Sequence, residues 1–353
     1  MRIAVYALAK NEAKHVAEWA ASCEDADLRI VTDTGSTDGT VEALEAAGVT
    51  VARGYVVPWR WDDAHNISLN HVPPDVDVCV RLDLDERLQP GWRQAIEAAW
   101  QGEVNSLRYR YVWSWKPDGS PGLEFHCDRV HARQGFRWSQ ATHEGLICWA
   151  GDKRQEFCKG LEIHHHRDAG KKHKTDLFLL EVATREAPQD ARAQWYLARE
   201  MDYAGHADTV AAFEKYLAMD GGAATERAYA HRVLYRWTGN EQHLHDSARE
   251  AQGEPDAWMH LALLNYRRRE WRNVIGFARQ AIASGAPMTH ASDPHAKTKA
   301  FDLLGVALWE LGRRPEALTA AREALSRLPD DQRLAANVAA MERILEAGTV
   351  EAA

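Results

Sequence analysis

At 353 residues the chain exceeds one ordinary domain of roughly 100–200 residues, and its 45% hydrophobic and 27% charged residues are a globular composition able to bury a core. No apolar run approaches the roughly 18 residues of a membrane span, and one basic residue followed by a short apolar run makes no signal peptide, which points to the cytoplasm. A formal charge of −9 disfavours a surface that grips nucleic acid, and five scattered cysteines without a C-x-x-C pair fit neither a disulfide framework nor a zinc cluster.

The first half alternates buried runs with helical spacing. Residues 3–8 are continuously apolar, 13–22 carry a helix pattern, and 28–32 are apolar again before the turn Asp33-Thr34-Gly35-Ser36. A helix is expected over 37–47, stopped by Gly48, then a short strand at 49–51 and a helix over 63–70. A buried strand over 76–82 runs into Asp83-Leu84-Asp85-Glu86. Buried runs separated by helices predict βαβ units and a largely parallel sheet, whose ligands sit at the carboxyl ends of the strands. The polar clusters after Leu8, Thr32 and Leu82 then share one edge.

From about 107 to 166, alternating segments predict antiparallel strands, with a turn at Gly119, Pro121 and Gly122. Beyond 174 the pattern is helical. Stretches beginning at Trp195, Trp258 and Phe301 alternate small and large residues at 3-to-4 spacing, the last with Gly312 between its two helices. That is the tetratricopeptide pattern, in which each helix pair hides its apolar face on a neighbour.

Asp83-Leu84-Asp85 is the strongest chemical feature. Strand alternation would place both carboxylates on one side of the chain, a pair of hard oxygen ligands suited to Mn²⁺ or Mg²⁺; a solvated acidic turn is the bland alternative. Asp33-Thr34-Gly35-Ser36-Thr37-Asp38-Gly39-Thr40 opens a helix that Ser36 or Thr37 could cap. Its two carboxylates make a poor phosphate cradle and suit a base or ribose better. Trp113, Trp115 and Trp138 are candidates for a sugar or acceptor groove, or simply for core. Lys171-Lys172-His173-Lys174 could sit near donor phosphates but reads better as a solvated helix start, and Arg267-Arg268-Arg269 with Arg272 reads as an exposed helix face or inter-helix loop.

Six elements in order resemble a known family. Lys10-Asn11-Glu12, the 33–40 loop, Trp61-Asp62-Asp63-Ala64-His65-Asn66, Leu82-Asp83-Leu84-Asp85-Glu86, Thr142-His143-Glu144 and Ile163-His164-His165-His166 look like glycosyltransferase family 2. They resemble its GT-A-fold branch with appended tetratricopeptide repeats, to which bacterial peptide S-glycosyltransferases also belong. The resemblance implies a Rossmann-like α/β GT-A domain over 1–172 and an all-α tetratricopeptide-like repeat domain over 173–353.

It also implies roles. Asn11, Glu12, Asp33 and Asp38 would hold the donor nucleoside, with Lys10, Ser36, His65 and Asn66 completing the donor site. Asp83 and Asp85 would hold metal and diphosphate, Asp85 the more direct ligand. His165 would complete the metal site, although alternation sets His164 and His166 on one strand face and His165 on the other. Glu144 would be the general base, with His143 as the alternative. The family's arginine is His65 here; if that position normally touches phosphate, the site gives up a permanent charge for a titratable one.

The implied reaction is inverting transfer of a sugar from a nucleoside-diphosphate sugar, a UDP-sugar by preference, to a peptide, protein or glycan, with homodimerisation through the helices. The alternatives are a non-catalytic nucleotide-sugar-binding scaffold, transfer to modified phage DNA bases, and a nucleotidyltransferase. The last is disfavoured because no basic glycine-rich loop follows the first strand.

Overall fold

The computed structural model describes residues 1–116, 118–166, 176–285 and 293–350. They form two compact units, Met1–Arg185 and Glu186–Ala353. The expected boundary at 172/173 falls outside the described residues.

The first unit is built on an eight-stranded sheet. In chain order its elements are β1 (Ile3–Ala9), α1 (Val16–Ser22), β2 (Leu28–Asp33), α2 (Thr40–Ala46), β3 (Thr50–Arg53), α3 (Trp61–Asn70), β4 (Val78–Arg81), β5 (Glu86–Leu88) and α4 (Trp92–Ala99). Then come β6 (Ser106–Val112), β7 (Glu124–Ala132), β8 (Phe136–Ser139), β9 (Gly145–Cys148) and β10 (Gln155–His165). The strand order is β3-β2-β1-β4-β7-β6-β10-β5, with β8 and β9 pairing separately. β3, β2, β1 and β4 run parallel, as the buried runs predict. β7 is antiparallel to both β4 and β6, as the alternating segments predict, whereas β10 returns parallel to β6.

Alternation along β1 sorts the core into two layers. Ile3, Val5, Ala7 and Ala9 pack with Trp19 of α1, Leu44 of α2 and Ile96 of α4, while Ala4 and Tyr6 pack with Leu69 of α3. Trp19 is fully buried, and its indole N–H donates to the Leu82 carbonyl at 3.1 Å, which ties α1 to the start of the acidic turn.

Two local expectations change. α2 begins at Thr40 rather than 37, and neither Ser36 nor Thr37 caps it: Asp38 accepts from the Thr40 N–H, while Ser36 Oγ accepts from the Asn11 N–H. β4 ends at Arg81, so residues 82–85 form a turn, and strand alternation does not govern the two aspartates. The turn closes on itself because Asp83 N–H donates to the Glu86 carboxylate and Glu86 N–H to the Asp83 carbonyl, each at 2.9 Å.

α5 (Leu177–Glu186) leads into the second unit, where α6 (Ala191–Tyr203), α7 (Thr209–Ala218), α8 (Ala224–Thr238), α9 (Gln242–Glu250), α10 (Pro255–Arg267), α11 (Trp271–Ala283), α12 (Ala296–Glu310), α13 (Arg314–Arg327) and α14 (Gln332–Val350) follow. From α6 onward, consecutive helices pack on one another. The sequence reading finds the pairs that begin with α6, α10 and α12 but passes over α8–α9, whose apolar stripe is interrupted by His231, Arg232 and His243. Leu304, Ala307 and Leu308 of α12 meet Ala317 and Ala320 of α13. The approach is close at Gly305, where a Cβ would stand 3.3 Å from Ala317 O and Ala321 N. The Arg267–Arg269 run lies at the α10–α11 turn, with Arg268 paired to Glu241.

Candidate active site

The parallel sheet places three polar loops at one edge, and hydrogen bonds lace two of them together. Asn11, in the left-handed region at φ 59°, follows β1. Its Oδ1 accepts from Thr37 N–H at 2.8 Å, and Glu12 N–H donates to Thr40 Oγ1 at 2.8 Å. The Asp33 carboxylate accepts from the N–H groups of Gly35 and Ser36, and Asp38 accepts from Ala13 N–H. Asn11, Glu12, Asp33, Ser36 and Asp38 therefore come together, with much of their polar capacity given to holding the loops in register. Lys10 is exposed beside them.

The third loop is the acidic turn. Asp83 lies between two arginines, 2.8 Å from Arg81 and 3.7 Å from Arg129. Glu86 is buried and accepts from Tyr111 OH at 2.5 Å and Arg129 at 2.8 Å. Neither arginine stands out in the sequence. Arg81 is hidden at the end of an apolar strand and Arg129 within an alternating one, with no local pattern to mark either.

Asp85 meets His165 through strand pairing. β5 runs antiparallel to β10 with His165 opposite Glu86, and His166 N–H donates to the Asp85 carbonyl at 2.7 Å. His165 Nε2 is thereby 3.4 Å from Asp85 Oδ2. Its Nδ1–H donates to the Trp113 carbonyl at 3.1 Å, which leaves the Nε2 lone pair facing the carboxylate when the ring is neutral. Trp113 stacks on the ring at 4.5 Å. Burial pushes the imidazole pKa down, but the Asp85 carboxylate outweighs it and the value is raised. His164 lies on the other strand face against Glu162, and His166 is exposed.

The Asp85–His165 pair has the donor types and spacing to share one divalent cation. Asp83, beside them in the same turn, is held by Arg81 and Arg129.

The remaining candidates lie on α3 and on the loop between β8 and β9. His65 is fully buried, with Nε2 3.2 Å from Glu144 and 3.0 Å from Arg81. One nitrogen cannot donate and accept at once; the carboxylate favours Nε2–H, with the Arg81 charge alongside. Burial and Arg81 hold His65 down to about 4, so the imidazole is neutral at physiological pH. A permanent charge stands beside this ring, carried by Arg81 from β4.

Burial pushes Glu144 up, but the His65 hydrogen bond and the Arg81 charge prevail and hold its carboxyl at about 2. Glu144 is therefore ionised and only partly exposed. His143, at φ 52°, is exposed. Asn66 uses both ends of its amide on the Trp138 peptide, donating to its carbonyl and accepting from its N–H at 2.9 Å each. Trp138 is core, its indole bonded to Tyr6 and its ring beneath Arg81, whereas Trp115 is partly exposed. Lys171–Lys174 lie outside the described residues.

No protein-family model matches the chain, and no curated protein matches it. Among solved structures the chain is similar to MamA, at 15% identity over 44% of this chain and 89% of that one, with a TM-score of 0.36. A tetratricopeptide-repeat protein of Thermus thermophilus is matched at 22% identity over 47% of this chain and 88% of that one, TM-score 0.31. Glucosyl-3-phosphoglycerate synthase from Mycobacterium tuberculosis, in complex with Mn²⁺, uridine diphosphate and glucosyl-3-phosphoglycerate, is matched at 24% identity over 31% of this chain, TM-score 0.28. The matched part spans 44% of that synthase. With TM-scores below 0.5, these likenesses carry no weight for fold or function.

Proposed function

We propose that the chain is a metal-dependent nucleotide-sugar glycosyltransferase acting on a peptide, protein or glycan, with a GT-A-type catalytic unit and a tetratricopeptide-like helical unit. One observation carries this reading: the loops after β1 and β2 and the acidic turn after β4 gather at the carboxyl edge of a parallel sheet, and the contacts of Arg81 join that turn to Glu144. The six ordered elements of the family resemblance support it.

On this reading the loops at Asn11–Glu12 and 33–38 take the nucleoside, and Asp85 with His165 holds Mn²⁺ or Mg²⁺, with Asp83 beside them. The cation would neutralise the departing diphosphate. Arg81 and Arg129 add fixed positive charge next to Asp83. Glu144, ionised and directed by His65, accepts the proton of the acceptor as it attacks the anomeric carbon.

A scaffold that binds nucleotide sugar without turnover draws on one observation, the pairing of Asp83 with Arg81 and Arg129. Incubation with a panel of UDP-sugars and Mn²⁺ separates the two. UDP release that needs the metal supports the transferase; metal-dependent UDP binding with no release on any donor supports the scaffold.

A further inference from the structure

The helical unit carries a second group of ligand-type side chains, remote in sequence from every residue named above for the donor. His231 on α8 and His243 and Asp246 on α9 each bring a donor atom to within 4.8 Å of the other two. His243 and Asp246 are three residues apart, so they share one face of α9. His231 reaches them from the neighbouring helix.

The geometry of the two imidazoles is specific. Nδ1 of His231 is 3.1 Å from Nδ1 of His243. Without a metal, one ring donates its hydrogen to the other. With a metal, each hydrogen moves to Nε2 or to solvent, and both lone pairs converge on the ion. Two ligands about 2.0–2.1 Å from a tetrahedral ion stand roughly 3.3 Å apart, so the rings need little adjustment.

Asp246 is already oriented: Gln242 donates to its Oδ1 at 3.0 Å, and Arg249 pairs with the same oxygen. The carboxylate brings one oxygen to the two imidazoles as the third ligand. All three residues are half-buried, which lets an ion enter without unfolding the pair of helices. Close by, Arg227 pairs with Glu250 at 3.0 Å.

We propose that His231, His243 and Asp246 form a zinc-class divalent metal site that clamps α8 to α9. Two imidazoles and one carboxylate suit Zn²⁺ and its borderline neighbours, whereas Mg²⁺ and Ca²⁺ prefer oxygen alone. Three protein ligands leave a fourth tetrahedral position for water or a group from another molecule. The site is independent of the proposed transferase chemistry.

The test uses full-length, chelator-stripped protein carrying Asp85→Ala, so that the donor-side metal pair is disabled. Zn²⁺ is titrated by calorimetry, Co²⁺ by visible absorption, and thermal unfolding is followed with and without Zn²⁺. The site predicts one equivalent of Zn²⁺ bound at micromolar or tighter affinity, a tetrahedral Co²⁺ spectrum, and a higher Tm with metal. His243→Gln keeps a polar partner for His231 and should lose at least tenfold in Zn²⁺ affinity along with the Tm rise; His231→Gln should do the same. Helical circular dichroism checks that the variants fold. Absence of zinc binding, or binding unchanged in both glutamine variants, overturns the proposal and leaves a plain hydrogen-bonded histidine pair.

Discussion

His65 on α3, at the position where the family resemblance has an arginine, lies beside a guanidinium that comes from β4. Arg81 is in reach of His65, Asp83 and Glu144 together, so one buried charge organises the proposed base and the acidic turn. Glu144→Gln should retain donor binding but lose turnover by about 10²–10⁴-fold, the range of a general base. Donor titration beside a transfer assay reads the two effects separately, and wild-type turnover would move the role to His143 or another group. Asp85→Ala and His165→Ala should each abolish Mn²⁺-dependent UDP binding in calorimetry, whereas His164→Ala should leave it intact. A loss in His164→Ala equal to that in His165→Ala would place the metal on the other face of β10.

At the scale of elements, the pairing of β5 with β10 does what the acidic motif cannot do alone. β5 is only three residues long, yet its register against β10 brings His165 beside Asp85. The motif itself is a turn whose aspartates part company, Asp83 toward the arginines and Asp85 toward the histidine. Among the helices, close packing of α12 on α13 depends on the missing side chain at Gly305. Gly305→Leu should force the pair apart and destabilise the protein by about 1–3 kcal/mol, the usual range for overpacking a filled core. Chemical denaturation of variant and wild type measures it; an unchanged midpoint would show that α13 shifts freely.

For the whole molecule, histidines held neutral by desolvation contribute to the response to acid. His65, His131 and His260 are each held near 4, burial being the largest cause in all three. Each binds a proton in the unfolded chain near 6.5 but resists it when folded. Stability from these groups is therefore fully present above about pH 6.5 and is lost as pH falls toward 4. Thermal unfolding at fixed ionic strength should give a Tm that declines steadily across that window, and a flat profile would show that the rings are solvated. Among the described residues no helix is long and apolar enough to cross a membrane.

Much of the architecture was legible because hydrophobic periodicity is local. The runs at 3–8, 28–32 and 76–82 became β1, β2 and β4, and the alternation near 107–113 became β6. The 3-to-4 spacing after 174 became stacked helices, though polar residues on α8 and α9 hid one pair. The positions of Asn11, Asp33 and Asp85 at one sheet edge followed from strand ends alone. What the sequence could not decide depends on partners far away in the chain. Asp83 is paired with Arg81 and Arg129, the charge at His65 is governed by burial and Arg81, and the approach of His165 to Asp85 by its register against β5. Trp138 proved to be core because Asn66 and Tyr6 hold it there. The sequence by itself determined the elements and the edge where polar loops meet, since both follow from nearest-neighbour patterning; the tertiary structure decided which charges face each other, because electrostatic and hydrogen-bond partners are chosen by proximity in space.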